Sequence, residues 1–242
     1  MSATPLDILA IAAHRDDVEQ TCGGTLLKAA QRGQRTGILD LTQGELGTRG
    51  MAEDRAREAA EAARILGAGW RRALDIPDGR VENTWENRLK VASVIRETRP
   101  RVVILPYWKG RHPDHYTCSV LGYEACFLAG LAKLPLGSQP LAPHRPFKII
   151  YATLYYDVRP TFVVDIGGQF EQKFASILAY KSQFSDQEAG KDLFPAHDEI
   201  RARVDSMARY YGALGGVTYA EPFLQKEVGL VEDLMAIPVK SI

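Results

Sequence analysis

Two short segments of the chain carry side chains that could bind a metal ion and move protons. They are His14-Arg15-Asp16-Asp17 and His112-Pro113-Asp114-His115. Each follows an apolar run typical of a buried strand, LDILAIAA and RVVILPYW respectively. Imidazoles and carboxylates are the usual ligands of a catalytic divalent ion, and a spare carboxylate and imidazole can act as base and oxyanion partner. Together the segments predict a mononuclear metallohydrolase.

The spacing within each segment suggests how the roles divide. His112 and His115 are three residues apart, so they share one face if a helix begins at Pro113, a favoured first helical residue. Adjacent residues in extended backbone point to opposite sides. One of Asp16 and Asp17 could therefore bind metal while the other faces the attacking water.

The elements that must position these residues alternate between strand and helix patterns. Strands are predicted at Leu6–Ala13, Thr36–Leu41, Ala73–Ile76, Arg101–Pro106, Lys148–Tyr156 and Phe162–Ile166. Helices are predicted at Thr25–Arg32, Ala52–Leu66, Trp85–Arg99, Asp114–Leu131, Phe170–Lys181 and His197–Ala213. This alternation predicts an α/β fold, a Rossmann-like three-layer sandwich whose mainly parallel sheet has helices on both faces. In such sheets ligands lie beyond the carboxyl ends of the strands, where both segments and the loop Thr42–Gly50 fall.

Composition narrows the possible partners. The chain has 30 basic and 30 acidic residues with no block of like charge, so neither nucleic acid nor an anionic membrane is expected to bind. The N-terminus has no basic region before an apolar stretch, and no apolar run reaches the roughly 18 residues of a membrane span. Three cysteines without a CxxC pair argue against a disulfide framework. We expect a cytoplasmic protein.

Further motifs lie between the two segments: Gly23-Gly24-Thr25, a TxGExG loop with Glu45 at its centre, and an RxxE pair at Arg55 and Glu58. With these the sequence resembles the LmbE-like, or PIG-L type, family of zinc-dependent N-acetylglucosamine deacetylases over nearly its whole length. RHPDH, PHRP at Pro143–Pro146 and LAYKSQF at Leu178–Phe184 resemble one branch, the bacillithiol-biosynthesis deacetylase that removes acetate from N-acetylglucosaminyl malate.

The resemblance implies a fold, a cofactor and a ligand set. It implies a single LmbE-like deacetylase domain over residues 1–242, with His14, Asp17 and His115 holding one zinc ion per chain. Iron(II) or cobalt(II) could occupy the same ligands, because availability often decides which metal is bound. The resemblance also implies a homo-oligomer, a trimer or hexamer.

The resemblance also implies the catalytic roles. Asp16 would be the general base that deprotonates the water and later protonates the leaving amine. His112 would be a charged imidazole that stabilises the oxyanion, with Asp114 holding it. The family commonly has proline where this chain has Arg15. Proline would stiffen the turn, and arginine adds a cation near the metal.

The charge of the expected substrate suggests which residues bind it. A sugar-malate carries two carboxylates, for which arginine is the natural bidentate partner. The candidates are Arg55, Arg111 and Arg145, with Glu45 as an acceptor for sugar hydroxyls. Alternative readings pair Arg55 with Glu58 on a helix surface and let Arg145 anchor the Pro-rich loop. Arg49 is expected to be solvated, and His144 and His197 are left outside the metal set.

Three functions from different classes remain open. The leading one is a deacetylase of a small-molecule N-acetylglucosaminide, N-acetylglucosaminyl malate. The second keeps the chemistry but changes the substrate to an inositol conjugate, a chitin disaccharide or a thiol S-conjugate cleaved at its amide. The third is a non-catalytic sugar-binding module, which is disfavoured because a pure binder has no need of Asp16.

Overall fold

The computed structural model describes residues 5–136, 141–154, 156–184 and 197–239. Within these ranges seven strands form one sheet in the order β3-β2-β1-β4-β5-β7-β6. The strands are β1 (Ile8–Ala12), β2 (Thr36–Asp40), β3 (Trp70–Ala73), β4 (Val102–Pro106), β5 (Lys148–Ala152), β6 (Phe162–Asp165) and β7 (Ala220–Leu224). The pairs among β1 to β5 are all parallel, whereas β7 is antiparallel to both β5 and β6.

In the described residues, helices join each strand to the next except between β5 and β6. They are α1 (Asp17–Gln31), α2 (Ala52–Ile65), α3 (Trp85–Thr98), α4 (Pro113–Ala129), α5 (Phe170–Leu178), α6 (Lys181–Phe184) and α7 (His197–Gly215), followed by a 3₁₀ turn at Leu234–Ala236. None of the helices in the described ranges has the length and apolar character needed to cross a membrane.

The sheet separates two hydrophobic cores. Successive residues of a strand point to opposite faces, and β1 shows this directly. Leu9 and Ile11 pack in the core beneath α3 and α4, while Ala10 and Ala12 pack in the core beneath α1. The predicted α/β sandwich with a mainly parallel sheet and helices on both faces is therefore confirmed.

The first helix begins earlier than predicted. It starts at Asp17 rather than Thr25 and is kinked at Cys22, whose φ of −140° is not helical. Past the kink, the backbone N–H groups of Gly24 and Thr25 donate to the two carboxylate oxygens of Glu221, at 2.9 and 2.7 Å. A carboxylate on free N–H groups caps a helix start. The Gly-Gly break is therefore present, but inside the helix.

Three other elements differ from the prediction. β3 occupies Trp70–Ala73 instead of Ala73–Ile76, because the register with β2 already places Ala73 opposite the last residue of that strand. The helix predicted over Phe170–Lys181 ends at Leu178, and Lys181–Phe184 forms a separate turn. β7 was not predicted. Tyr155, part of the predicted fifth strand, lies outside the described residues.

Candidate metal centre

The two segments meet because the strands before them are neighbours. β1 and β4 pair in parallel, so their carboxyl ends lie side by side. β1 ends at Ala12, and α1 begins at Asp17 after a tight turn in which the Asp17 N–H donates to the His14 carbonyl. Beyond β4, His112 caps α4 and Pro113 is its first residue, as the sequence predicts.

His14, Asp17 and His115 converge on one point. His14 Nδ1 lies 3.2 Å from His115 Nε2 and 3.4 Å from an oxygen of Asp17, whose other oxygen is 3.2 Å from His115 Nε2. Zinc–nitrogen and zinc–oxygen bonds of about 2.0–2.1 Å in a tetrahedron separate neighbouring ligand atoms by about 3.3–3.4 Å. The two histidine nitrogens have this spacing, and each is at a similar distance from one of the two Asp17 oxygens, so the three side chains could hold a zinc ion.

The electrostatics of this point favour a cation. Burial lowers the pKa of His14, but the carboxylates of Asp114, Asp17 and Asp78 raise it to about 12. Burial raises the pKa of Asp17, yet His115 and His14 hold it well below its usual range. A site in which carboxylates stabilise a positive charge this strongly suits a divalent ion.

Two carboxylates lie on the other side of the His14 ring. Its Nε2 is 3.0 Å from Asp78 and 3.4 Å from Asp114. A proton on Nε2 that faces a carboxylate leaves the Nδ1 lone pair for the metal, the usual arrangement of a ligating histidine. The sequence offered no signal for Asp78, because Asp78-Gly79 after a strand is typical of an ordinary turn.

The carboxylate of Asp114 supports His14 rather than His112. Its oxygens accept the N–H groups of Gly79 at 2.8 Å and Val81 at 3.2 Å, besides facing His14. The bond between Asp114 and the ring of His112 comes from the Asp114 backbone N–H, 3.2 Å from His112 Nδ1. Our expectation that the carboxylate holds His112 is corrected by these contacts.

His112 is arranged as a neutral donor. Because its Nδ1 accepts a backbone N–H, the ring proton lies on Nε2. Partial burial and the neighbouring imidazoles of His14 and His115 lower its pKa. The charged imidazole that we expected is therefore not what these contacts favour. His14, His112 and Asp114 also form a possible metal group, but there Nε2 of His14 already faces the carboxylates.

Asp16 is held by two side chains. Arg55 Nη2 donates to one carboxylate oxygen at 3.1 Å, and Gln20 donates to the other at 3.2 Å. Arg55 is only 4% exposed and also donates to the carbonyl of Gly44 at 3.2 Å. The alternative surface pair with Glu58 is not what forms, because Glu58 accepts from the backbone and hydroxyl of Ser182. Arg55 thus supports the expected base.

The other expected substrate residues lie at different distances from this centre. Glu45 accepts the N–H of Asp78 at 2.8 Å, and Arg111 is exposed next to His112. Arg145 stacks on Phe127, 4.8 Å from the ring centre. Phe127 is twelve residues beyond His115 on α4, about 18 Å along the axis. The far end of α4 therefore holds Arg145 away from His115, which does not favour a substrate role for Arg145 at this centre.

The turn that holds the first segment is anchored from outside. The carbonyl of Arg15 accepts hydrogen bonds from Arg71 and from the Tyr180 hydroxyl. Arg71 is itself paired with Asp40 at 2.9 Å and Glu19 at 2.6 Å. The Arg15 side chain turns away to the carbonyl of Ala52, the first residue of α2.

The LAYKSQF motif fastens the loop above the sheet. Gln183 donates to the carbonyl of Arg49 at 2.6 Å, and Arg49 donates back to the Gln183 carbonyl at 3.1 Å. Arg49 is 4% exposed, so the expectation of a solvated residue is wrong. The His144 ring is hydrogen-bonded to the Pro100 carbonyl at 2.7 Å and shares no partner with the candidate metal ligands. The side chain of His197 lies outside the described part of the chain.

Comparison with known proteins finds relatives that are named as N-deacetylases. The family model for PIG-L, GlcNAc-PI de-N-acetylase, matches residues 9–126. The diacetylchitobiose deacetylase of Thermococcus kodakarensis is 32% identical over 225 residues, 88% of this chain and 80% of that protein. The conserved protein TT1542 from Thermus thermophilus is 42% identical with a TM-score of 0.83, covering 94% of this chain and 98% of its own. The N,N'-diacetylchitobiose deacetylase from Pyrococcus horikoshii has a TM-score of 0.77 and 26% identity, and the match covers 89% of this chain and 82% of that one.

Proposed function

Because this chain belongs to the PIG-L family of de-N-acetylases, we propose that it removes the N-acetyl group from N-acetylglucosaminyl malate. By its chemistry the protein is a metal-dependent N-deacetylase, a hydrolase of amide bonds. One observation supports metal-dependent amide hydrolysis independently of family membership. The three candidate metal ligands converge beside a separately held carboxylate, Asp16, and a histidine donor, His112.

The proposed mechanism assigns each residue one task. His14, Asp17 and His115 would hold zinc, which when bound supplies an activated water and polarises the amide carbonyl. Asp16, oriented by Arg55, accepts a proton from the attacking water and delivers it to the amine nitrogen as the carbon–nitrogen bond breaks. His112 donates Nε2–H to the developing oxyanion. Amide and water are thereby converted to acetate and free amine.

The role of Asp16 is tested by Asp16→Asn. Loss of a general base costs roughly 10²–10⁴-fold in rate, so kcat should fall by about that factor. Zinc content, measured by mass spectrometry of the metal, should stay near that of the wild type, because Asp16 is not among the converging ligands. The matched control is Asp75→Asn, since Asp75 is exposed and paired with Lys90, and this variant should keep the wild-type kcat. Normal turnover by the Asp16 variant would refute the assignment.

Support for the malate conjugate comes from the surroundings of the centre. Arg111 is exposed beside His112, where a substrate carboxylate could meet it, and Lys109 lies nearby. Glu45 accepts the Asp78 N–H through one carboxylate oxygen, and we assign the other oxygen to a sugar hydroxyl. Diacetylchitobiose is the second candidate, because a relative at 32% identity is named for that activity.

One assay separates the two substrates. The zinc-loaded protein is given N-acetylglucosaminyl malate, diacetylchitobiose, an inositol conjugate and free N-acetylglucosamine, and amine release is followed. We expect the malate conjugate to have the highest kcat/KM. Arg111→Gln should lower kcat/KM for that substrate alone, by about tenfold if one charge-assisted contact of 1.5 kcal/mol or so is lost. A higher rate on diacetylchitobiose, unaffected by Arg111→Gln, would favour the second candidate.

A further inference from the structure

A small cavity lies directly behind the candidate metal centre. It is bordered by the ligands Asp17 and His115 and by Val18, Thr21, Ile104 and Leu154. Small residues of β1, Ala10 and Ala12, form its floor against the sheet. We call this space the inner cavity. Its walls next to the metal ligands are mostly apolar, which suits a hydrocarbon group rather than a sugar.

The inner cavity is very small. On the measure by which one water molecule needs roughly 10–15 Å³, its volume is about 20 Å³. That is room for one methyl-sized group, with little left over. A sugar ring does not fit, and neither does a longer alkyl chain without displacement of a wall.

The reacting amide has two substituents to place. The nitrogen carries the sugar, which needs the open side where Glu45 and Arg111 are exposed. The acyl methyl must then point the other way, past Asp17 and His115. We propose that the inner cavity is the acyl subsite and that it restricts the enzyme to acetyl amides. This inference rests on the proposed function and deepens it.

One wall of the inner cavity is shared with a second space. The outer cavity, about 50 Å³ on the same measure, is lined by Lys173, Met207, Tyr211 and Pro222, and it also contacts Thr21 and Leu154. Thr21 and Leu154 therefore form the partition between the two. Thr21 is fixed through its hydroxyl to the carbonyl of Asp17 at 2.8 Å. Leu154, whose side chain is only partly buried, is the wall that sets the acyl length.

The first test measures chain-length selectivity. The wild type should hydrolyse N-acetyl, N-propionyl and N-butyryl forms of one glucosaminide with kcat/KM falling roughly 10–200-fold for each added methylene. Leu154→Ala joins the two cavities and should raise the butyryl-to-acetyl ratio of kcat/KM by at least about tenfold. Leu154→Val, a milder change, should raise the butyryl-to-acetyl ratio by less. It keeps the test valid if Leu154→Ala does not fold.

The control is Leu134→Ala, which removes the same atoms from a half-buried leucine outside both cavities. Its butyryl-to-acetyl ratio should equal that of the wild type. An unchanged ratio in both Leu154 variants, with acetyl turnover retained, would overturn the inference. Equal wild-type rates on all three acyl lengths would do the same.

A second measurement does not depend on the sugar. Acetate, propionate and butyrate are titrated into the zinc-loaded protein in a calorimeter. Affinity should fall with each methylene in the wild type and level off in Leu154→Ala. Equal affinity for the three acids, or no binding of any of them, counts against the acyl subsite. If the acids show the length limit but no glucosaminide is hydrolysed, the substrate proposal fails while the acyl subsite stands.

Discussion

His14 uses its two ring nitrogens for different partners. Nδ1 faces Asp17 and His115, while Nε2 faces the carboxylates of Asp78 and Asp114. The second pair determines which nitrogen carries the proton, and therefore which one is free for a metal. Asp78 is held in place through its own neighbours, since it accepts the N–H of Leu46 at 3.1 Å.

Asp78→Asn tests this support. An amide cannot replace the negative charge facing Nε2, and losing a partner of a metal-ligating histidine typically costs 10–100-fold in metal affinity. We expect the zinc dissociation constant, from competition with a chelator, to rise by about that factor. Asp75→Asn, a nearby exposed aspartate, should leave it unchanged. An unaltered constant in Asp78→Asn would show that Asp114 alone is sufficient.

Gly44 determines where Arg55 can lie. Its φ of +72° is left-handed, and a Cβ there would stand 2.2 Å from Arg55 Nη1. Gly44→Ala should move the guanidinium away from Asp16 and lower kcat. Gly33→Ala has a similar φ of +79° but meets nothing within 4 Å, so it reproduces the backbone strain of about 1–2 kcal/mol without the clash. If both variants keep the same kcat, Arg55 has no part in orienting the base.

At the scale of elements, α1 depends on a residue at the far end of the chain. Glu221 in β7 caps the helix past its kink, and its carboxylate accepts a hydrogen bond from Lys173 Nζ at 2.5 Å. Lys173 also donates to the carbonyl of Gln20 at 2.8 Å, just before the kink. Glu221 of β7 thus holds the second half of α1 directly and the first half through Lys173 of α5.

Glu221→Gln tests this dependence. It leaves the buried Lys173 ammonium without its counter-charge, and breaking a buried pair costs about 3–5 kcal/mol. The free energy of unfolding from urea denaturation should fall by about that amount. Glu227→Gln, an exposed residue, serves as the control. A loss below about 1 kcal/mol, the size of a surface pair, would contradict this account.

The sequence was a good guide where function and packing share one pattern. Buried strands followed by histidine and aspartate predicted the edge of the sheet and the residues that meet there. It was a poor guide to β7 and to the start of α1. Glu221 and Pro222 inside β7 are atypical of a central strand, and the partners of the carboxylate, Lys173 and the N–H groups at the kink of α1, lie far from it in the sequence. Asp78 was missed for the same reason, since its partner His14 lies far from it in the chain.

Zinc should stabilise the whole molecule, because it binds a site absent from the unfolded chain. At a free zinc concentration about 100-fold above the dissociation constant the gain is about 2.7 kcal/mol, or roughly 5–10 °C in Tm for a chain of this size. His115→Gln should abolish the rise. His112→Gln should keep it if the converging triad is the site, and lose it if His14, His112 and Asp114 bind instead. Calorimetric melting with and without zinc gives the answer.

The homo-oligomer, a trimer or hexamer, stays a prediction for the whole molecule. The outer side of α4 leaves Tyr116, Val120, Tyr123 and Phe127 between 38% and 56% exposed at helical spacing. Contiguous apolar surface of this kind marks interaction sites. Light scattering should give a mass well above the 26.8 kDa of one chain, reduced by Phe127→Ser but not by Tyr210→Ser on α7. A monomer in the wild type would refute it.

The anchoring of the Arg15 carbonyl has a consequence for recognising this site in other sequences. Arg71 and Tyr180 hold the turn that orients His14 and Asp17 through a main-chain oxygen. The orientation of the turn therefore does not depend on the side chain at position 15. We expect proline and arginine to be interchangeable there as long as both donors persist. A search pattern for such chains should admit any residue after the first histidine and demand instead the distant arginine and tyrosine. Chains that lack those donors should be the ones that require proline.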